Sequence, residues 1–412
     1  MSYHDHHFHP LGYVGMVNGL ELMDAPDYQG LSERIRSSLD QTEGAVVGQR
    51  LNDEGLSEGR LPTRELLDDI SSDRPILLYR YCGHIGVANS AALAVAGVDS
   101  NTDDPAGGHF DRDLAGTPTG VVRETALSVV SDALTPHVIP QSRDDILGAL
   151  GELGKVGIGS VTAMVSAGEA MWCGVPDELD TLIGMAADLP VAMGIFVITE
   201  DENALREAAE KIRSTEGWLE FSGWKSFADG SLGGHTAAMY EPFSDMADEI
   251  GTLRLQPAHA LEMARVSLEL DGSVAIHAIG DRANDEVLDI FAHLIADGAD
   301  PDSLRIEHAS LMTDSAIERM ADLGVTASVQ PAFLASEGDW LEKRLGPERM
   351  RLAYRFRSMG EAGITMLGGS DCPVEPPDPS IGIEAAVARH GINPDESLTA
   401  EQAAALFRRS AG

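Results

Sequence analysis

Positive charge is scarce in this chain. Of 412 residues only 29 are Lys or Arg, against 67 Asp or Glu, for a formal net charge of −38. Only four of the basic residues are lysines, Lys155, Lys211, Lys225 and Lys343. A chain with no basic face cannot neutralise phosphates, so nucleic acid is not expected as a partner, and a membrane surface of anionic lipid is disfavoured for the same reason. The acidic excess reads as a well-solvated surface. Cysteine is almost absent. Cys82, Cys173 and Cys372 are scattered, which excludes a disulfide framework and a C-x-x-C zinc site. Long apolar runs are missing too. The longest, at 189–198, is far too short to span a bilayer, and the opening MSYHDHHFHP lacks the basic-then-apolar pattern of a secretion signal. A reduced, cytoplasmic protein is the expectation. No repeat of 20–50 residues and no low-complexity linker is found. The chain also has no G-x-S-x-G elbow, no G-x-x-x-x-G-K-[ST] phosphate loop and no G-x-G-x-x-G fingerprint.

What is present is apolar mass in a regular arrangement. Hydrophobic residues make up 43% of the chain, enough for a large core. Short β-like runs at 2–9, 159–165, 191–198, 220–228, 273–279, 304–309, 325–330 and 365–370 alternate with helical periodicity. The clearest helices are expected at 143–156, 257–270, 281–297, 313–323, 380–389 and 399–409, with Pro257 in a first turn and Asp271-Gly272 ending that helix. Eight strand–helix units predict an α/β fold of the (β/α)8 TIM-barrel type rather than an open doubly wound sheet. Extra material lies between the first two strands, with strand-like runs at 45–51 and 75–81 and a Gly-rich hairpin signal at 106–120. The expected organisation is therefore a first barrel strand and loop at 1–18, an insertion at 19–140 and the rest of the barrel at 141–412. Active-site loops of such barrels lie at the carboxyl ends of the strands, so the insertion is expected to roof the pocket.

Polar residues recur at those strand ends. His7 and His9 in Asp5-His6-His7-Phe8-His9 share one side of a strand by alternation and make a natural metal pair, although His4 and His6 form a second H-x-H. Lys225, between Trp224 and Phe227, is a lysine in an apolar strand. It either pairs with a carboxylate such as Asp229, or it is carboxylated by CO2 to a carbamate that can bridge two metals. His277 and His308 each end an apolar strand before a helix, where a lone histidine is more often a satisfied core residue. Asp371 ends the last strand, before Pro373, where its bland role is a turn cap. Five independent structural explanations are a poor account of one recurring pattern. N and O donors of this kind suit zinc or a similar divalent ion.

The order H-x-H, Lys, His, His, Asp resembles the amidohydrolase superfamily. It is specifically similar to amidohydrolase family 3, the YtcJ-like metal-dependent hydrolases related to N-substituted formamide deformylase. The likeness extends to Arg80-Tyr81-Cys82-Gly83-His84 with Asn89–Leu93, to Pro118–Glu124, and to KSFADGSLGGHTAA from Lys225. It continues through His277-Ala278-Ile279-Gly280-Asp281 and Gly369-Ser370-Asp371. The resemblance implies that His7 and His9 bind one metal, that His277 and His308 bind the other, and that carboxylated Lys225 bridges the two. Asp371 would touch the bound hydroxide as ligand and catalytic base, and His84 would contact substrate. Glu124 matches without an assignable role. One or two ions, most readily zinc, are implied. The small β-sandwich usual in the family is expected to be missing here, since the sequence starts at the first barrel strand and stops at the last helix.

The activity implied is hydrolysis of a non-peptide carbon–nitrogen bond of amide type in a small-molecule substrate, by a metal-activated hydroxide; a homo-oligomer is compatible with this. Two alternatives stand beside it: a catalytically silent or truncated relative acting as a regulatory or binding protein, and an ester hydrolase using the same metal site.

Overall fold

The structure is a computed structural model that describes residues 2–105, 107–167 and 177–409. Fourteen strands lie among the described residues. β1 (Tyr3–Phe8) is followed by β2 (Leu20–Glu21), β3 (Val46–Leu51), β4 (Ile76–Arg80), β5 (Ile85–Ala88), β6 (Gly108–Arg112) and β7 (Pro118–Glu124). Then come β8 (Ile158–Ser166), β9 (Ala192–Ile198), β10 (Leu219–Phe227), β11 (Ser273–Ala278), β12 (Leu304–His308), β13 (Thr326–Val329) and β14 (Met366–Gly368). The chain divides into two compact units. One comprises residues 2–10, 150–167 and 177–409, the other 11–149.

In the first unit eight strands form one sheet in the order β1-β8-β9-β10-β11-β12-β13-β14, and every paired neighbour runs parallel. Each of the eight expected strands is present. The sheet curls until its edges meet. Phe8 bridges Cys372 in parallel, the His9 amide donates to the Cys372 carbonyl at 3.0 Å, and the Asp371 amide donates to the His7 carbonyl at 2.8 Å. Gly369 permits this approach, because a Cβ there would stand 2.5 Å from the His7 nitrogen. The strands are buried on both faces, as β11 shows with Val274, Ala275, Ile276 and Ala278 all at 0% exposure. That is why they read as continuous apolar runs rather than as alternation. Helices Pro257–Glu269, Asp281–Ala296, Asp314–Leu323, Pro379–Ala388 and Ala400–Leu406 fall where expected. Thr313 and Thr399 cap the starts of two of them, Thr399 within a full capping box. The (β/α)8 barrel follows from these strands and helices.

The second unit is built on a mixed six-stranded sheet in the order β2-β3-β4-β5-β7-β6. The expected runs at 45–51 and 75–81 are β3 and β4, which pair parallel. The hairpin signal is the antiparallel pair β6–β7, with Ala106 outside the described residues. Strand β5 and the two-residue β2 were not expected. The sheet is buried on both sides. Ile76 and Leu78 of β4 belong to one apolar cluster with Leu31, Ile35 and Leu67, and Leu77 between them belongs to another with Phe110, Leu127 and Val130. The insertion thus has its own core. Neither Cys82 nor Cys372 is in a disulfide, Cys173 lies outside the described residues, and no described helix is long and apolar enough to cross a membrane.

Candidate metal centre

Six sequence-predicted residues of the barrel converge at the carboxyl ends of its strands: His7, His9, Lys225, His277, His308 and Asp371. The His7 and His9 rings lie 5.5 Å apart, His7 and His308 5.0 Å, and His277 and His308 4.5 Å. Asp371 Oδ1 stands 3.2 Å from His7 Nε2 and 3.1 Å from His9 Nε2. These three side chains each turn one donor atom into a space less than 4.8 Å across, a separation that suits a shared cation. Lys225 is fully buried, its Nζ 3.4 Å from the centre of the Phe227 ring and donating to the Ser226 carbonyl at 3.1 Å. Phe227 also packs on His277, with ring centres 5.5 Å apart.

Backbone turns make the convergence possible. Strand alternation sends Glu307 and His308 to opposite faces. His308 breaks the pleat with φ +73, so both side chains meet His7: Glu307 through a hydrogen bond and His308 through its ring. Asp371, at φ +56, likewise departs from strand geometry. The rival pair His4 and His6 is engaged elsewhere. His4 nitrogens meet the hydroxyls of Ser160 and Thr162 at 2.6 and 2.9 Å, and His6 Nε2 meets the Arg408 carbonyl at 3.0 Å.

Several residues to which sequence reasoning assigned no part in the centre hold the converging groups in place. Glu307, fully buried, accepts from His7 Nδ1 at 2.6 Å and is bonded by Arg305. Gln330 Oε1 lies 2.6 Å from His308 Nδ1. The Gly230 carbonyl lies 2.9 Å from His277 Nε2. Asp229, weighed above as a lysine partner, accepts the backbone amides of Ala238, Ile279 and Gly280 and approaches His277 Nε2 at 3.2 Å. Asp5 accepts the amides of His7 and Ser370 and the Ser370 hydroxyl. The only available signal was position: Asp5 and Glu307 lie within two residues of His7 and His308, and Asp229, Gly230 and Gln330 follow the ends of strands next to those of His277 and His308.

Opposing charges meet at His7. Burial alone would lower the His7 pKa, yet Asp371 and Glu307 on its two sides push it up to about 9. Burial pulls Asp371 upward, but His7 and His9 hold it well below the usual carboxylate range. Burial, together with the neighbouring His277 ring, drives His308 well below the usual histidine value, and burial lowers His9. The His7, His9 and Asp371 donors, with the His308 ring beside them, form a set that fits a divalent ion.

His84 belongs to the second unit. Its Nδ1 bonds the Glu124 carboxylate at 3.0 Å, and the Glu124 amide donates to the His84 carbonyl at 2.9 Å. Glu124, which carried no role in the sequence, is thus the partner of His84, and it sits at φ +53.

The amidohydrolase family model matches residues 4–411. YtcJ of Bacillus subtilis is 32% identical over 348 residues, covering 84% of this chain and 64% of its own. N-substituted formamide deformylase of Arthrobacter pascens is 26% identical over 374 residues, covering 88% of this chain and 68% of its own. A metal-dependent hydrolase of Pyrococcus furiosus superposes with a TM-score of 0.72 at 31% identity, covering 98% of this chain and 80% of that one. The chain spans about two thirds of the length of these curated relatives. A family-model match that runs from residue 4 to residue 411, with a relative 32% identical over 84% of the chain, places the chain in the amidohydrolase family.

Proposed function

We propose that the protein is a metal-dependent amidohydrolase cleaving a non-peptide carbon–nitrogen bond of amide type in a small molecule. One observation carries this reading most: Asp371 Oδ1 within 3.2 Å of both His7 Nε2 and His9 Nε2, with His277, His308 and Lys225 around it. His7 and His9 would hold one divalent ion, His277 and His308 a second, and Lys225 as its carbamate would bridge them, zinc being the ion these donors suit best. When bound, such ions lower the pKa of water and polarise a substrate carbonyl.

The chain's own groups do the rest. Glu307, Gln330 and the Gly230 carbonyl fix which ring nitrogen of His7, His308 and His277 carries the proton. The opposite nitrogens, Nε2 of His7, Nε2 of His308 and Nδ1 of His277, then present lone pairs. The Asp371 carboxylate accepts the proton of the attacking water and returns it to the leaving nitrogen, so the C–N bond breaks to an acid and an amine.

The test is zinc uptake by metal-free protein, followed by a panel of formamides, acylated amines and esters. Turnover of formamides or acylated amines supports the reading. Turnover of esters alone favours the ester-hydrolase alternative, and zinc uptake without turnover favours a silent relative with a binding role.

A further inference from the structure

His7, His277 and His308 are each held at one ring nitrogen, but by partners of unlike charge. His7 Nδ1 meets a carboxylate, Glu307, at 2.6 Å. That carboxylate is fixed from behind. Arg305 bonds it through Nε while Arg305 Nη2 donates to the His6 carbonyl at 2.7 Å and to Ser328 Oγ at 3.3 Å, and the guanidinium lies on the Phe196 ring. His308 Nδ1 meets a neutral amide, Gln330, and His277 Nε2 a backbone carbonyl. Asp229 also approaches His277, at 3.2 Å, but its two oxygens accept three backbone amides and its negative charge is spread over them.

A carboxylate accepting an imidazole N–H pushes electron density through the ring and strengthens the opposite nitrogen as a donor. A neutral carbonyl does so less. The carboxylate of Asp371 adds its charge on the same side, at 3.1–3.2 Å from His7 and His9. We infer that Glu307 is a positioning residue that makes the two metal positions unequal: the ion at His7, His9 and Asp371 binds more tightly than the ion at His277 and His308. This rests on the metal-hydrolase reading above.

The experiment titrates metal-free full chain with zinc against a chromophoric chelator, with circular dichroism to establish folding. The parent is expected to bind in two steps at least about tenfold apart. Glu307→Gln preserves shape but removes the charge, and is expected to weaken the tight step roughly 10–100-fold while leaving the other within about threefold. Gln330→Glu, the reciprocal change, is expected to tighten the weak step. If the parent takes up no zinc, the metal reading itself fails. If the parent binds zinc but Glu307→Gln leaves the tight step unchanged, or weakens both steps alike, the inference on Glu307 fails while the metal reading stands. A parent holding a single zinc that Glu307→Gln weakens and Gln330→Glu does not supports the inference; a single zinc indifferent to Glu307→Gln overturns it. Should Glu307→Gln not fold, the Gln330→Glu variant decides, and an unchanged weak step sinks the proposal.

Discussion

Asp5 ties the first barrel strand to the end of the last through Ser370. Its Oδ2 accepts the Ser370 hydroxyl at 2.6 Å and its Oδ1 the Ser370 amide at 3.0 Å. The same Oδ1 accepts the His7 amide at 3.1 Å. One buried carboxylate therefore registers His7 against Asp371, the two residues that face each other across the candidate centre.

Asp5→Ala leaves the His7 amide and both Ser370 donors without their acceptor in a buried seam. The expected cost is roughly 3 kcal/mol of folding stability, with weaker zinc binding. Asp5→Asn, which keeps an oxygen, loses less. Urea unfolding of the metal-free proteins measures both, and equal stability of Asp5→Ala and parent would show that the seam does not depend on this residue.

Asp371→Asn is expected to keep zinc while losing most turnover. The amide oxygen can still coordinate but cannot take a proton, and loss of general acid–base action costs roughly 10²–10⁴-fold in rate. Metal analysis together with kcat on a confirmed substrate separates the two effects. Parental kcat in this variant assigns Asp371 to structure alone.

Lys225→Ala is expected to lose activity and one or both ions, with partial recovery of both on adding short carboxylic acids. The reason is charge: a cationic amine buried beside divalent ions is strongly repelled, whereas a carbamate offers two anionic oxygens. Lys225 is fully buried, where an unpaired ammonium is costly, and carbamate formation requires the neutral amine. A bare amine in the density of fully zinc-loaded crystals would refute the carbamate and leave a single-ion centre.

Acid sensitivity follows from His4 and His6. Both are buried, with burial lowering His4 to about 2 and His6 to about 4. In the unfolded chain they titrate near 6.5, as model imidazoles do. The unfolded state therefore binds more protons below that value. Stability is fully present above pH 6.5 and is lost as pH falls, by about 1.4 kcal/mol per unit for each histidine. For His6 the loss runs down to about pH 4. Urea midpoints at pH 7, 6 and 5 should fall less steeply in His6→Gln than in the parent, and parallel slopes would contradict the assignment.

The eight barrel strands could be read from the chain because a parallel sheet buried on both faces writes itself as short apolar runs, five of them ending in the polar group they present. His7, His9, Lys225, His277, His308 and Asp371 were visible for that reason. Glu307 was hidden by the same rule that revealed His308. Alternation assigns neighbours to opposite faces, and only the left-handed turn at His308 brings both to His7. Gln330 and Asp5 act through single hydrogen bonds that leave no periodic trace. In the second unit β5 and the two-residue β2 are too short for a pattern, and the sheet mixes parallel with antiparallel pairs, so its topology was not legible from the chain.

The closed seam also sets an order of events during folding. His9 and Asp371, and Asp5 and Ser370, are separated by 362 and 365 residues of chain. Contacts of such separation form after local strand–helix units have assembled, because the connecting chain must first be ordered. On the ribosome, His7 and His9 emerge well before the strand that leads to Asp371. A zinc ion added during refolding should therefore reach full affinity only with the last structural phase, making metal capture a clock for barrel closure rather than a nucleus for it.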